Sequence, residues 1–378
     1  MGIKSEWTRR GYEKLLMKNV ENTLRHRKNK YEKILHKRGR IYIRTKNPDE
    51  VASGLTRVFG ISSVSPAKET SSDLVKIIKT SVKIADATIE KGSSFAVRCR
   101  RVGTHTYSSM DVCKEVGKQI LTKLEHKDLH VNLNNPDFTI TIEIRDAEAY
   151  VFAETLHGPG GFPLGSQPKV ICLLSGGIDS PVACWLVMRR GCVVVPVYLD
   201  AAPFADEADE QRALDVARAL FEWSIGYPRK VYVVPHGKNL DAFVRKAPRK
   251  ITCLLCKRIM YRVAERIAER ENAEGIVTGE AIGEQASQTI TNLMVLNEVA
   301  AKYPIHRPLL GFDKVETENL ARRIGTFDIS TRKSGGCGGA PDQPSTRAKL
   351  DFVKEAEEKL DVKQLVEDSI ERAKVITV

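Results

Sequence analysis

The sequence predicts an α/β protein, in which a C-terminal doubly wound parallel sheet follows smaller α+β domains. Three observations support this fold class. The chain has 378 residues, which is enough for two or three domains. A Gly- and Pro-rich segment at 158–165 separates two parts of the chain whose patterns of apolar residues differ. After it, short apolar runs alternate with helical patterns, as in buried parallel strands joined by helices.

Composition excludes several classes of protein. Hydrophobic residues make up 42% and charged residues 29% of the chain, a globular balance. No apolar stretch approaches the ~18 residues that span a bilayer, and no apolar signal region begins the chain. Eight cysteines are too few for a disulfide scaffold and indicate free thiols, metal or redox chemistry in a reducing compartment. We therefore expect a cytoplasmic protein without membrane attachment.

Positive charge is concentrated at the N-terminus. Of a net charge of +12, residues 1–50 contribute 9, from 15 Lys/Arg against 6 Asp/Glu. Twelve of these basic residues form a basic arm or face: Arg9, Arg10, Lys14, Lys18, Arg25, Arg27, Lys28, Lys30, Lys33, Lys37, Arg38 and Arg40. A polyanion is the expected partner, because neutralised phosphates release counterions; a solvated helix face that aids solubility is the alternative. Sparse aromatic residues favour contact with the backbone of a folded RNA over base stacking.

Helices and strands alternate in the N-terminal part. Apolar residues at helical spacing run from Leu15 to Leu24, and Leu35 would extend the pattern. The predicted elements that follow are a strand at 40–44, a helix at 73–88, a strand at 95–100, a helix capped by Ser109 and Asp111, and a strictly alternating strand at 139–144. Such a small, basic α+β region suits an RNA-binding module.

The C-terminal part repeats a strand–loop–helix unit. Predicted strands lie at 169–174, 193–199, 231–235 and 276–278, and predicted helices at 183–189, 206–223 and from Val315 onward. A doubly wound parallel sheet binds its ligand at the carboxyl ends of the strands.

The loop after the first of these strands predicts a nucleotide site. Ser175-Gly176-Gly177-Ile178-Asp179-Ser180 leads from the strand into a helix. The glycines let backbone N–H groups approach phosphate oxygens, the helix N-terminus adds positive dipole, and the serine hydroxyls can donate to the same oxygens. Because the Asp179 carboxylate would repel phosphate, we expect it to hold Mg²⁺, which bridges the phosphates. No Gly-Lys-Ser/Thr sequence ends the loop, so it is not a Walker motif.

This motif resembles the PP-loop of ATP pyrophosphatases, which split ATP into AMP and pyrophosphate. Together with later segments, it makes the chain similar to the tRNA 4-thiouridine synthetase (tRNA sulfurtransferase) family. Those segments are Lys257–Arg262, Thr278–Gly283, Gln285–Thr289, His306–Gly311 and Ile324–Ser330. By this resemblance, residues 1–60 form a ferredoxin-like domain, 61–166 a THUMP domain that ends in the Gly/Pro linker 158–166, and 167–378 a PP-loop domain.

The resemblance implies an activity and further site residues. ATP would adenylate the C4 oxygen of the uridine at position eight of tRNA, and sulfur would then displace AMP. The THUMP region would hold the tRNA acceptor end, and the protein would be a homodimer. Carried over by position, the residues framing adenine are Leu173, Leu174, Tyr198 and Leu199, and those completing the nucleotide site are Arg258, Gly279 and Gln288. Core packing is the alternative role of the leucine side chains.

Three cysteines are candidates for sulfur chemistry. Cys253 and Cys256 form a CxxC motif just before the helix expected from Lys257, and Cys337 lies among four glycines. The chain resembles the rhodanese-lacking, largely archaeal branch of the family, and that resemblance implies a [4Fe-4S] cluster on these cysteines, with one open iron that takes up sulfide. A persulfide on Cys337 resolved by a CxxC thiol is an alternative. Structural zinc is a third, but three ligands leave its site incomplete.

Other functions remain open from the residues alone. A 2-thiouridine synthetase also belongs among PP-loop enzymes, and so does an amide-forming ligase, although no amidotransferase part is apparent. A different class is a non-catalytic RNA-binding protein that keeps the nucleotide fold as a scaffold. The intact Asp179 and the intact loop argue against this class.

Overall fold

The computed structural model describes residues 5–37 and 39–378. Met1–Lys4 and Arg38, a member of the predicted basic stretch, lie outside the described residues. The chain forms two compact units. One consists of the N-terminal residues up to Asn22, Arg57–Gly60 and Gly160–Val378, and the other of Thr23–Thr56 and Ile61–Pro159. The division into three consecutive domains therefore stays a prediction.

The N-terminal elements alternate much as predicted. The helices are α1 (Glu6–His26), α2 (Pro48–Leu55), α3 (Leu74–Thr88) and α4 (Ser109–Lys123). The strands are β1 (Lys33–Lys37), β2 (Arg40–Arg44), β3 (Ser63–Val64), β4 (Lys68–Ser71), β5 (Ser94–Val102), β6 (His130–Val131), β7 (Phe138–Arg145), β8 (Glu148–Phe152) and β9 (Leu156–His157).

A five-stranded sheet of order β4-β8-β7-β5-β6 forms the centre of the smaller unit. Every second residue of β7 is buried, from Ile140 to Ile144, and these side chains pack with those of α3 and α4. Two local predictions were wrong. Leu35 lies in β1 rather than extending α1, because the helix ends at His26. The N-cap of α4 is Ser108 rather than Ser109, which is the first helical residue; the predicted capping by Asp111 is confirmed, because its carboxylate accepts from the Ser108 N–H in a capping box.

Some of the predicted RNA-binding charge is used inside this unit. Lys37 pairs with Glu148 at 3.0 Å, and Arg40 pairs with Glu143 at 2.6 Å. Both basic residues belong to the β1–β2 hairpin, and both acidic residues belong to the five-stranded sheet. These two cations hold the hairpin to the sheet and are partly neutralised.

The C-terminal elements build the larger unit. The strands are β10 (Gln167–Leu173), β11 (Cys192–Asp200), β12 (Lys230–Pro235), β13 (Ile276–Val277), β14 (Ile305–His306) and β15 (Lys374–Thr377). The helices are α5 (Asp179–Arg189), α6 (Glu207–Phe221), α7 (Gly237–Lys246), α8 (Thr252–Glu271), α9 (Ile290–Asn297), α10 (Lys314–Ile324), α11 (Phe327–Ser330), α12 (Leu350–Glu358) and α13 (Val362–Glu371).

The doubly wound parallel sheet is confirmed, with strand order β14-β13-β10-β11-β12-β15. Neighbouring strands are parallel except β12 and β15, which pair antiparallel at one edge. Successive residues of β11 pack into two separate cores. Val195 and Val197 pack with α7 and α8, whereas Val194 and Tyr198 pack with α5 and α6. Both faces of the sheet are therefore covered by helices.

The strand order reverses beside β10. From β10 the chain proceeds to β11 on one side, whereas β13 lies on the other side. The loops after β10 and β13 consequently leave the same edge of the sheet as neighbours. Such a reversal opens the crevice in which doubly wound sheets bind their ligands.

Candidate functional site

Two serines hold the loop between β10 and α5 in shape. The Ser175 N–H donates to Ser180 Oγ at 2.9 Å, and the two hydroxyl oxygens are 3.0 Å apart. The Gly177 N–H donates to Ser175 Oγ at 3.2 Å. The loop is thus folded by its own hydroxyls and opens directly into the first turn of α5, where orphan N–H groups and the helix dipole favour an anion.

Two of the predicted glycines lie against close neighbours, a side chain at Gly176 and backbone at Gly279. A Cβ atom at Gly176 would lie 2.5 Å from Arg212 Nε, on α6. A Cβ atom at Gly279 would lie 2.6 Å from the Ser180 nitrogen and 2.7 Å from its Cα. The chain after β13 therefore presses directly on the loop after β10. Gly279 supports the loop by permitting this contact, a role that its place in a motif did not reveal.

A lysine that the sequence analysis missed lies at this loop. Lys314 Nζ is 2.7 Å from Asp179 Oδ1 and 3.0 Å from Glu284 Oε2. Partial burial alone would lower the pKa of Lys314, but the hydrogen bonds to Asp179 and Glu284 raise it above its usual value. Lys314 therefore stays charged beside the loop. Lys314 could have been suspected from its position: it is the first residue of α10 and closely follows the family-like segment that ends at Gly311.

The predicted adenine-framing residues lie at the ends of β10 and β11. The Leu174 N–H donates to the Val197 carbonyl at 2.9 Å, which joins the two strand ends. The side chains of Leu174, Tyr198 and Leu199 are buried in the cores on the two faces of the sheet, and Leu173 packs against one of these cores. These side chains are core residues, so an adenine at this edge would meet mainly backbone.

Gln288 organises the segment that follows Gly279. Its side-chain Oε1 accepts from the Ala281 N–H at 3.3 Å, and its carbonyl accepts from the Gly283 N–H at 3.3 Å. The side chain is buried. The segment thereby folds back on itself and carries Glu284 to Lys314.

Arg258, predicted to complete the nucleotide site, lies in a buried network of ion pairs. Its guanidinium is 1% exposed and donates to Glu357 at 2.9 and 2.7 Å, to Glu298 at 2.8 Å and to the Val295 carbonyl at 2.6 Å. These contacts use nearly all of its donors inside the helical layer. The structure thus gives Arg258 the role of a buried cation that joins α8, α9 and α12.

A buried carboxylate next to Gly279 collects a further set of contacts. Glu280 accepts from Lys257 at 3.0 Å, from the Tyr261 hydroxyl at 2.6 Å and from Arg307 at 2.7 Å. Burial would raise the pKa of Glu280, but the charges of Lys257 and Arg307 and the Tyr261 hydrogen bond lower it. The ionised carboxylate anchors the chain after β13 to α8. The role of Glu280 becomes apparent only from these contacts in the folded protein.

The three candidate cysteines are close enough to affect one another. Cys253 and Cys256 lie near the start of α8, three residues apart and on one face, so the prediction that they precede the helix was wrong. Burial raises the pKa of Cys256, and the Cys337 and Cys253 sulfurs raise it further. Burial and the Cys337 sulfur also raise the pKa of Cys253.

The loop of Cys337 packs beside the end of β11. The Gly338 N–H donates to the Phe204 carbonyl at 2.8 Å, and Arg249 donates to the carbonyls of Gly339 and Ala340 at 3.3 Å. Cys337 itself is exposed. Among residues 5–37 and 39–378, no group of three or more His, Cys, Asp or Glu side chains is arranged to hold a metal ion.

A histidine adjoins the CxxC motif. His236 Nε2 lies 3.1 Å from Cys256 Sγ, and the ring is buried. Burial lowers the pKa of His236 to about 4, so the ring is neutral at neutral pH. Cys172, in β10, and Cys184, in α5, are buried together in one core as small apolar residues.

In the part of the chain that the structure describes, every helix is too short or too polar to cross a membrane.

Known proteins resemble this chain over its whole length. Residues 165–362 match the family described as thiamine biosynthesis protein (ThiI), 71–154 a THUMP domain and 1–65 a ThiI ferredoxin-like domain. A probable tRNA sulfurtransferase of Methanosarcina mazei is 42% identical, over 100% of this chain and 93% of the relative. Another, of Methanothermobacter thermautotrophicus, is 41% identical over 97% and 93%. A crystal structure of a 4-thiouridine synthetase–RNA complex with bound ATP superposes with a TM-score of 0.88, at 31% identity over 100% of this chain and 96% of that one.

Proposed function

Because the chain belongs to the tRNA sulfurtransferase family, we propose that it uses ATP to convert the uridine at position eight of tRNA into 4-thiouridine. The observation that carries this proposal is the Ser175–Ser180 loop at the strand-order reversal, with Lys314 bound to Asp179 beside it. The similar 4-thiouridine synthetase structure contains ATP and RNA, which supports both ligands here.

The reaction has two steps. In the first, the uridine C4 oxygen attacks the α-phosphorus of ATP, and the bond to pyrophosphate breaks. In the second, a sulfur nucleophile attacks C4, and the bond from C4 to the adenylated oxygen breaks as AMP leaves. The N–H groups at the start of α5 stabilise the phosphate charge of the first step. The Lys314 ammonium adds a full positive charge at the same place.

Two carboxylates at the loop fit a divalent cation. Asp179 and Glu284 lie within 3.0 Å of the same ammonium nitrogen, so they already share one positive ligand. Carboxylates combined with phosphate oxygens are the usual ligands of Mg²⁺ in nucleotide sites. We propose Asp179 as the principal magnesium ligand, and the bound ion would neutralise phosphate charge.

Cysteine is the residue type that binds iron–sulfur clusters, and this chain has three candidate ligands. Cys253, Cys256 and Cys337 provide three sulfur ligands, which would lose their protons on binding iron, and Cys337 lies exposed on a glycine-rich loop that can adjust around a ligand. When bound, a [4Fe-4S] cluster on three cysteines would supply an open iron position for sulfide. A persulfide relay through Cys337, which would need a donor of sulfane sulfur rather than sulfide, is the competing chemistry, and both would require the three sulfurs to come together.

The tRNA partner is supported by the THUMP match and by the basic N-terminal stretch. Of that stretch, Arg9, Lys14, Lys18 and Arg25 are exposed. Contacts from such residues to phosphates position a nucleic acid without reading its sequence. We propose that they strengthen tRNA binding in a salt-dependent manner.

The test of the activity uses the full chain with a tRNA transcript, ATP, Mg²⁺ and sulfide under anaerobic conditions. Nucleoside mass spectrometry should find 4-thiouridine, and pyrophosphate should be released in proportion to the tRNA. Asp179→Asn should abolish both products, whereas Asp351→Asn, at an exposed carboxylate of α12, should change neither. Wild-type protein that yields neither product would contradict the proposal.

The test of the sulfur chemistry is separate. Anaerobically purified protein should contain iron and show sulfur-to-iron charge-transfer absorption, and Cys337→Ser should lower both. Protein that is colourless and free of iron, yet still thiolates tRNA from sulfide, would contradict the cluster proposal.

A further inference from the structure

His236 belongs to none of the steps above, yet it directly contacts a candidate sulfur-handling cysteine. It follows β12, and its backbone N–H donates to the Asp200 carbonyl at 2.6 Å. The side chain is 1% exposed, and its Nε2 lies 3.1 Å from Cys256 Sγ. A buried, fixed ring against a sulfur atom raises the question of which nitrogen carries the proton.

The hydrogen bonds on the Nδ1 side of the ring show which nitrogen carries the proton. The Ser369 hydroxyl donates to the Leu365 carbonyl at 2.9 Å, so its oxygen accepts from the Asn239 amide Nδ2 at 2.9 Å. The same Nδ2 lies 3.1 Å from His236 Nδ1. An amide nitrogen only donates, so Nδ1 must be the accepting, unprotonated nitrogen of the neutral ring. The proton is therefore on Nε2 and faces Cys256.

The opposite amide orientation is less favourable. If the Asn239 oxygen faced the ring, the Ser369 hydroxyl would have to donate to that oxygen. One hydroxyl has a single proton, so the hydrogen bond to the Leu365 carbonyl would be lost. Asn239 and Ser369 are both buried, where a lost hydrogen bond is costly.

We propose that His236 is a positioning residue for sulfur transfer, whose Nε2–H donates a hydrogen bond to the Cys256 sulfur. This inference rests on the proposed function of the three cysteines. A negatively charged sulfur in a buried place needs a hydrogen-bond donor, and a neutral imidazole provides one without adding charge. The donor also fixes the direction of the sulfur atom. Groups that orient a ligand-bearing residue commonly affect activity by about 10–100-fold.

The direct test is the ¹⁵N NMR spectrum of imidazole-labelled, metal-free full-length protein, with the His236 signals identified by their loss in His236→Gln. The expected result is an unprotonated Nδ1 and a protonated Nε2. Asn239→Asp places an acceptor behind the ring and should move the proton to Nδ1. A wild-type ring protonated on Nδ1 would overturn the proposal, and this measurement requires no catalytic activity.

The functional test compares sulfur transfer among variants. His236→Leu, which removes the donor, should reduce 4-thiouridine formation by at least tenfold, and Asn239→Asp should do the same. His236→Gln keeps an N–H group near the position of Nε2 and should recover most of the rate. The control Asn272→Asp makes the same chemical change at an exposed residue whose φ of 50° Asp also adopts.

The outcomes separate the two proposals. If wild-type protein forms no 4-thiouridine and releases no pyrophosphate, the proposed function fails, although the NMR result stands. If wild type is active and His236→Leu, folded by circular dichroism, is equally active, the role of His236 is refuted. Equal losses in His236→Leu and His236→Gln would also refute it, because they would indicate packing rather than hydrogen bonding.

Discussion

Replacing Gly279 by alanine tests the contact between the two loops that form the proposed ATP site. The new Cβ would lie 2.6 Å from the Ser180 nitrogen, whereas ordinary contacts begin at 3.4 Å, so one loop must retreat by about 0.8 Å. Overpacking of this kind costs about 1–3 kcal/mol of stability. An error of about 1 Å in the position of a reacting group can reduce a rate by about 100-fold. We therefore expect kcat/KM for pyrophosphate release to fall about 100-fold, with a modest loss of stability.

The assay measures tRNA-dependent pyrophosphate release and thermal unfolding in the same preparations. Gly311→Ala is the matched control, because no atom lies within 4 Å of its added Cβ and its φ lies outside the left-handed region. The control should retain wild-type kinetics. Unchanged kinetics in Gly279→Ala would show that the loop after β10 tolerates displacement, and the proposed role of Gly279 would be wrong.

Two further substitutions examine charge. Lys314→Met should lower pyrophosphate release by about 10²–10³-fold, as expected when a preorganised donor to a phosphoryl group is lost. Its free energy of unfolding should change by less than about 1 kcal/mol, because the ion pair to Asp179 is partly exposed. The substitution Glu357→Gln tests how the stability of the protein depends on acidic pH. Burial would raise the pKa of Glu357, but Arg258 and Arg262 hold that pKa at about 2, below the ordinary 4.5. Wild-type protein should therefore lose on the order of 3 kcal/mol as the pH falls from about 4.5 to about 2, and denaturant titrations of the variant should lack that loss.

Periodicity located most elements of the fold because burial acts on local patterns. The alternation in β7 and the apolar run of β10 are set by which side chains face a core, and both appear in the sequence. The start of α8 was misplaced because no side chain caps its first turn, which follows a short 3₁₀ turn at Arg249–Ile251. The antiparallel edge strand β15 was missed because its pairing with β12 joins residues far apart in the chain.

The site was predictable where all the residues of one binding feature lie in a single short segment of the chain. The Ser175–Ser180 loop is such a segment, because strand, turn and helix start adjoin in sequence. Lys314 and Glu284 reach the same place from α10 and from the chain after β13, and only the strand order brings them together. Arg258 shows what a motif leaves out, because only the folded chain brings the carboxylates of Glu298 and Glu357 to its guanidinium.

The charges around the loop explain why a single lysine is insufficient for binding a triphosphate. Asp179 and Glu284 contribute −2 and Lys314 contributes +1, so these three side chains sum to −1. Arg212, which abuts Gly176, is paired with Asp209 and adds no net charge. The loop must therefore attract a polyanion through the N–H groups at the start of α5 and through an added cation. A divalent ion bound at Asp179 would change the sum from −1 to +1, whereas a monovalent ion would only bring it to zero. With the proposed magnesium ion bound, the same carboxylate that would repel ATP by itself would make ATP binding dependent on magnesium.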